Sequence, residues 1–171
     1  MTLGEQMRVN HRAEIRRFLL DAGQAGYLDG RVLDFGCGKM PYRGLIEDFC
    51  LEYVPYDKVE FPGSVADQDY LVTKANYDSI ICTQVIGLVN NPSDVLDIMA
   101  ALLKDKGYLL LTYQVNWPVV EEVDRWRFTA TGMNKLLRNS GFDVIHSESG
   151  SKFVIDDIEF ILENHVVAQK R

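Results

Sequence analysis

The chain lacks the features that define several common protein classes. Its three cysteines, Cys37, Cys50 and Cys82, are odd in number, form no CxxC pair and sit in apolar stretches. That excludes a disulfide scaffold and implies reduced thiols in the cytoplasm. Apolar runs long enough to span a bilayer are missing, and residues 1–17 are polar and charged where a secretory signal would be apolar. Basic charge is in deficit: 18 Lys and Arg stand against 25 Asp and Glu, a net charge of −7. Phosphate backbones and anionic membranes attract the opposite balance, so neither nucleic acid nor membrane is expected as a partner. His11, His146 and His165 have no metal-ligand spacing, and no HExxH motif, cysteine cluster or GxSxG elbow is present. No metal site is expected, and zinc or serine hydrolase chemistry is disfavoured. Repeats, low-complexity tracts and Pro/Gly/Ser linkers are also missing. The 171 residues, 47% of them hydrophobic, therefore read as one domain with one sizeable core. Residues 1–29 form an N-terminal helical segment of that domain, and residues 30–171 form its core.

What is present is alternation. Ile15, Phe18, Leu19 and Ala22 recur at helical spacing and predict an amphipathic helix over residues 11–25. Strands are predicted at 31–35, 51–57 (with Pro55 implying a bulge or a frayed end), 64–67, 77–83, 108–113, 142–147 and 164–169. A helix begins near Pro41, and a second is capped by Asn91-Pro92 and stopped by Gly107. A third carries Met133, Leu136 and Leu137 and ends at Gly141. The acidic run at residues 156–159 reads as a solvated, partly helical stretch. Strands alternating with helices imply an α/β fold with a mostly parallel sheet and right-handed crossovers. Ligands of such sheets bind beyond the carboxyl ends of the strands. That directs attention to 34–40, 57, 67, 83–88 and 113–117.

The first of these stretches is the most informative. Asp34-Phe35-Gly36-Cys37-Gly38 ends a strand in a glycine turn, where missing Cβ atoms allow a sharp bend and a close ligand approach. The sixth position of a dinucleotide fingerprint is Pro41 rather than glycine. Asp34 would repel a pyrophosphate but attract an ammonium or sulfonium group. That pattern suits S-adenosylmethionine better than NAD. Asp57 ends the next strand 19 residues after Gly38, close to the roughly 20-residue spacing of an acid that holds ribose hydroxyls. Asp67 is a candidate for the adenine amino group. Cys37, in the turn, reads as a small packing residue rather than an activated thiol.

Asp34-Phe35-Gly36-Cys37-Gly38, Asp57, YDSIICTQV, LLKDKGYLLLTY and RWRFTATGMNKLLRNSGF together resemble class I S-adenosylmethionine-dependent methyltransferases. The similarity is closer to a small bacterial group associated with sugar or glycan pathways. The resemblance implies a Rossmann-like three-layer αβα sandwich with a seven-stranded sheet whose last strand is antiparallel. It also implies S-adenosylmethionine as cofactor. Asp34, Gly36, Cys37 and Gly38 would lie along its methionine part, Asp57 at the ribose and Asp67 at adenine, with Thr83 and Gln84 lining the cleft. The family's glycine at the seventh motif position is Met40 here, which should narrow the loop. Gly87-Leu88 stands where many relatives carry a Glu-His pair.

A sulfonium methyl group is already electrophilic, so alignment and water exclusion carry most of the catalysis and a strong base is optional. Tyr113, Glu121, Glu122 and Asp124 are within reach as bases, and the sequence singles out none. Tyr113, Trp117, Trp126 and Arg127, with Phe128 and Arg125, are expected to form an acceptor-binding lid, the alternative use of the aromatics being packing. Arg8, Arg12 and Arg16 share a helical face that reads as solvated. The expected activity is methyl transfer to a small-molecule acceptor, a sugar or glycan precursor, by a cytoplasmic monomer or homodimer. A non-catalytic S-adenosylmethionine-binding module and a nucleotide-dependent oxidoreductase remain as alternatives.

Overall fold

The computed structural model describes residues 3–58, 75–118, 124–155 and 157–171. The predicted strand at 64–67 and the candidates Asp67, Glu121 and Glu122 lie outside them. The described elements run α1 (Leu3–Gln24), β1 (Arg31–Phe35), α2 (Arg43–Glu47), β2 (Glu52–Tyr56), β3 (Tyr77–Thr83), α3 (Pro92–Leu102), β4 (Leu103–Gln114), α4 (Ala130–Asn139), β5 (Phe142–Ser149), β6 (Lys152–Ile155), β7 (Ile158–Ile161) and β8 (Glu163–Lys170).

Six strands form the main sheet in the order β2-β1-β3-β4-β8-β5. The pairs β1–β2, β1–β3 and β3–β4 are parallel, whereas β8 runs antiparallel to both β4 and β5. The last strand is thus reversed, as expected, and is wedged inside the sheet. The described sheet has six strands rather than the expected seven. β6 and β7 form a separate hairpin, so the described part of the acidic run, residues 157–159, is not helical: Asp157 sits in a turn at a φ of 63° and Ile158 opens a strand.

Adjacent residues of the central strands feed two cores. Ile80, Cys82, Leu109, Leu111 and Val166 pack with Leu96 and Met99 of α3 and Met133 and Leu137 of α4. Ile81, Leu110 and Val167 face the opposite way, against Ile15, Phe18, Leu19 and Ala22 of α1 and Leu45 and Ile46 of α2. The period-2 alternation of buried strands thus builds helix, sheet and helix layers.

Local chemistry explains most of the boundaries. Asn91 caps α3 by accepting the Ser93 N–H at 3.1 Å, with Pro92 in the first turn. Thr129 caps α4 by accepting the Gly132 N–H, and Gly141 follows the helix at a φ of 85°. Three boundaries differ from expectation. α1 begins at Leu3, well before the expected residue 11. α3 ends at Leu102 and β4 starts at once, and the β3–β4 register shifts between Tyr77 and Ser79, opposite Leu103 and Tyr108. Gly107 belongs to that irregularity, where a Cβ would come within 2.9 Å of the Asp78 carbonyl oxygen. Pro55 neither frays nor bulges β2: it pairs in register with Asp34. β2 is one of the two outer strands of the described sheet, where a missing N–H is tolerated.

Candidate functional site

Three strand ends converge at one crevice. After β1 the chain turns through Gly36 at a φ of 77° and Gly38 at 50°. The N–H groups of Gly36 and Cys37 both donate to the Tyr56 carbonyl oxygen, at 2.8 and 3.0 Å, and the Gly38 N–H donates to Asp57 Oδ2 at 2.8 Å. The turn is therefore bolted to the end of β2. The two glycines serve different purposes. A Cβ on Gly36 would fall 2.3 Å from a methyl of Val85, so the contact between loops demands glycine there. A Cβ on Gly38 would meet nothing within 4 Å, so that side of the turn is open to a ligand. Met40 also holds a positive φ, 54°, which explains why glycine is the usual residue at this place in the motif.

Asp34 lies beneath the turn, 3% exposed. The Tyr53 hydroxyl donates to its Oδ2 at 2.6 Å. Burial pushes its carboxyl up to about 6, opposed by that hydrogen bond and helped by the charge of Asp57. At neutral pH it still carries most of a negative charge facing the crevice. Burial, with Asp34 and Asp57 nearby, pushes the Cys37 thiol up to about 12. It stays protonated, in keeping with a packing role.

The end of β3 is held as firmly. Gln84, at a φ of 61°, donates its backbone N–H to the carbonyl oxygen of Thr112 and its side-chain Nε2 to Thr112 Oγ1 at 2.9 Å. Its Oε1 is buried with no hydrogen-bond partner among the described residues. Beyond it, the Gly87 carbonyl oxygen accepts the N–H groups of Arg125 and Trp126, both at 3.0 Å. Arg125 and Trp126 also donate side-chain bonds to the carbonyl oxygens of Leu88 and Val89. Residues 124–128 thus form a strap lying on the loop after β3.

The crevice has two lobes that share Gly36, Thr83 and Gln84. One, of about 690 Å³, is lined by Asp57, Val85, Leu88, Val89 and Arg125 among others. The other, of about 490 Å³, is lined by Asp34, Cys37, Gly38, Lys39, Tyr42 and Trp117, and by His11 and Arg12 of α1. Among the described residues expected at the cofactor, Asp34, Gly36, Cys37, Gly38, Asp57, Thr83 and Gln84 all border this crevice.

Of the four residues expected at the acceptor, only Trp117 does so. Tyr113 is fully buried, its ring edge-on to Phe128 at 6.0 Å, and belongs to the core. Trp126 stacks on Phe128 and spends its indole N–H on the Val89 carbonyl oxygen. Arg127 pairs with Asp124 and donates to the carbonyl oxygens of Trp117 and Trp126. These three hold the strap together instead of facing the crevice, and Asp124 is committed to Arg127.

The sequence reading missed the contribution of α1 and β8. His11 Nδ1 lies 3.0 Å from Oε2 of Glu163, which is fully buried. Burial works against the charge of Glu163, but the adjacent His11 and His165 rings and the Ser151 N–H outweigh it and hold the carboxyl down to about 2. Two signals pointed here: His11 is one turn before Ile15 on the apolar stripe, and Glu163-Asn164-His165 puts three polar residues at the head of a strand otherwise apolar through Ala168. Arg12 and Arg16 are exposed, as expected of a solvated face, yet Arg12 also borders the crevice.

Residues 4–147 match the methyltransferase domain family. The chain belongs to that family, the S-adenosylmethionine-dependent methyltransferases. No curated protein matches it in sequence. Among solved structures, Burkholderia thailandensis 1,6-didemethyltoxoflavin-N1-methyltransferase, with its namesake compound and S-adenosylhomocysteine bound, is 17% identical at a TM-score of 0.72, over 98% of this chain and 82% of its own. Synechocystis magnesium protoporphyrin IX methyltransferase with bound S-adenosylmethionine is 16% identical at 0.70, over 100% and 85%. An S-adenosylmethionine-dependent methyltransferase from Mesorhizobium loti is 14% identical at 0.66, over 88% and 96%. At these identities the likeness is one of fold, and it agrees with the Rossmann-like sheet described above.

Proposed function

We propose that the chain transfers the methyl group of S-adenosylmethionine to a hydroxyl of a small polar acceptor, a sugar or glycan precursor. The observation that carries this reading is the pair of lobes meeting at Gly36, Thr83 and Gln84. The lobe with Asp57, Val85, Leu88 and Val89 suits an adenosine: apolar side chains for the base and an acceptor-only carboxylate for a sugar diol. The turn at Gly38, open above its backbone, and the negative charge of Asp34 suit the cationic amino-acid end. The buried, unpartnered Oε1 of Gln84 sits at the junction and adds an acceptor for a donor group. The donor set therefore fits the cofactor, and it disfavours a pyrophosphate beside Asp34.

When bound, the cofactor supplies an electrophilic methyl group on sulfur. The protein's own task is to present the acceptor in line and keep water out. The part of the second lobe beyond Asp34 and Gly38, which take the cofactor's amino-acid end, has the equipment for that. Trp117 offers an aromatic face to a sugar ring, and Arg12 and Lys39 offer charge to a carboxylate or phosphate on it. The small-molecule complex of the toxoflavin methyltransferase supports an acceptor of modest size. The net charge of −7 keeps nucleic acid an unsuitable acceptor. Cytoplasmic location and a monomer or homodimer remain part of this reading.

Titration calorimetry with S-adenosylhomocysteine and NAD tests it. Binding of S-adenosylhomocysteine but not NAD is the expected result, and the reverse overturns the reading. Release of S-adenosylhomocysteine in a panel of monosaccharides, sugar phosphates and uronic acids then identifies the acceptor.

A further inference from the structure

We infer that His11 is the general base that takes the acceptor's proton, and that Glu163 is the positioning residue that holds its ring ready. The inference rests on the preceding reading that the lobe containing Trp117 receives the acceptor. The loop after β3 carries no acid or base where one would be sought: it offers Gly87-Leu88, and the strap lies against it. The opposite wall of the crevice, built by α1 and β8, supplies the pair instead.

The geometry sets an imidazole against a buried carboxylate. His11 borders the acceptor lobe together with Asp34 and Gln84, its ring 4.5 Å from that of Trp117. Nδ1 is 3.0 Å from Glu163 Oε2. The contact is close without being an aligned hydrogen bond; because a carboxylate only accepts, a hydrogen on Nδ1 suits it in the neutral ring and leaves Nε2 its lone pair. Glu163 is itself fixed. Its Oε1 accepts the Ser151 N–H at 2.8 Å and the Ser151 hydroxyl at 3.0 Å, and Nε2 of the fully buried His165 stands 3.6 Å away. Behind His165, Glu148 pairs with Arg17 at 2.9 Å. A carboxylate wholly removed from water is a costly device for structure alone, where apolar residues of similar size would serve. Here it terminates at a side chain on the crevice wall.

The step balances. The acceptor oxygen forms a bond to the methyl carbon, the carbon–sulfur bond breaks with its electron pair left on sulfur, and the acceptor's proton passes to Nε2 of His11. The imidazolium formed faces Glu163, which stabilises it. Other charged groups around the ring are His165 and Glu148 behind Glu163, Arg12 on α1, and Asp34 and Lys39 across the lobe.

The decisive variant is Glu163→Gln. Because both Ser151 donors claim one oxygen, the glutamine must turn its NH₂ toward His11 and donate to Nδ1. That forces the proton onto Nε2 and removes the base without removing volume. Nitrogen-15 NMR of the intact protein is expected to show the neutral His11 ring protonated at Nδ1 in the wild type and at Nε2 in Glu163→Gln. Diethyl pyrocarbonate should carbethoxylate wild-type His11 at least tenfold faster than the same residue in Glu163→Gln, in a His146→Asn background that silences the exposed histidine. With the sugar acceptor found by the panel, Glu163→Gln and His11→Gln should each lower kcat about 100-fold or more, with the acceptor KM changed less than threefold. S-adenosylhomocysteine affinity, measured by calorimetry, should be retained in both. A wild-type ring protonated at Nε2, an unchanged tautomer in Glu163→Gln, or full turnover in His11→Gln overturns the inference. Loss of S-adenosylhomocysteine binding by the wild type would instead overturn the assignment of the crevice.

Discussion

The carboxylate of Asp57 accepts the N–H of Gly38 at 2.8 Å, so the residue at the end of β2 shapes the glycine turn after β1 before any ligand arrives. The two places marked by sequence spacing as cofactor contacts are thus one mechanical unit. A carboxylate has about four acceptor sites, which lets one side chain hold both a backbone amide and a sugar hydroxyl.

Replacing Asp57 should therefore separate two effects. Asp57→Ala removes both bonds and is expected to weaken S-adenosylhomocysteine binding about 10- to 100-fold, the range for charge-assisted hydrogen bonds. Asp57→Asn keeps an oxygen for Gly38 and should lose clearly less. Calorimetry on the two variants checks the ordering; equal losses would remove the Gly38 brace from the account of Asp57.

Asp34 is expected to trade stability for binding. Its carboxyl rises from the ordinary 3.8 to about 6 on folding, chiefly through burial. The folded state then holds the proton more tightly than the unfolded chain, so this residue's contribution favours folding most below pH 3.8. That advantage shrinks as pH climbs to 6, and above it the buried charge is a constant penalty. Asp34→Asn retains an oxygen for the Tyr53 hydroxyl and removes the charge. Urea unfolding should find the variant more stable by on the order of 2 kcal/mol at pH 8, with a smaller difference at pH 5. The same variant should bind S-adenosylhomocysteine more weakly. A variant no more stable at pH 8 than at pH 5, relative to wild type, would refute the electrostatic account.

Met40 offers a test of backbone strain alone. A non-glycine residue in the left-handed region costs about 1–2 kcal/mol, and glycine gives back about 0.5–1 kcal/mol through its freer unfolded chain. Met40, half-buried at a φ of 54°, should therefore become more favourable by about 0.5–1 kcal/mol as Met40→Gly. Chemical denaturation measures this directly, and a destabilised variant would mean that the methionine side chain packs more usefully than its backbone is strained.

These residues also show what sequence reading reached and where it stopped. β1 and β3 were legible to the residue, because each has a short buried apolar centre, Val32-Leu33 and Ile80-Ile81-Cys82, closed by a glycine turn or a polar residue. The glycine turn and Asp57 were legible because one loop and one spacing place them. The lid was misread because Trp126, Arg127 and Tyr113 look identical in sequence whether they face a ligand or each other. Only the bonds to Val89, Trp117 and Asp124 and the burial under Phe128 decide it. The pair of His11 and Glu163 was out of reach for a different reason: 152 residues separate its members, and only the reversed strand β8, threaded beside β4, brings them together.

Gly87 gives the sharpest contrast between a motif and its setting. Read as a motif position, it is a missing acid, and Gly87→Glu would seem a repair. In the fold it is where the strap touches down: a Cβ there would come 2.9 Å from Gln114 Oε1 and 3.1 Å from the Trp126 carbonyl oxygen. The Gln114 side chain must turn aside, the contact with the Trp126 backbone is tighter than most packed pairs, and the Gly87 carbonyl oxygen holds two strap amides that would shift with it. Overpacking of this kind costs about 1–3 kcal/mol. Gly87→Ala should already lower stability within that range, and Gly87→Glu should lower it further without raising turnover. Hydrogen exchange reads the cause separately from the cost: the Arg125 and Trp126 amides and the Trp126 indole N–H should lose protection ahead of the sheet. If Gly87→Glu instead keeps the strap protected and speeds methyl transfer, the base belongs on the β3 loop and not on α1.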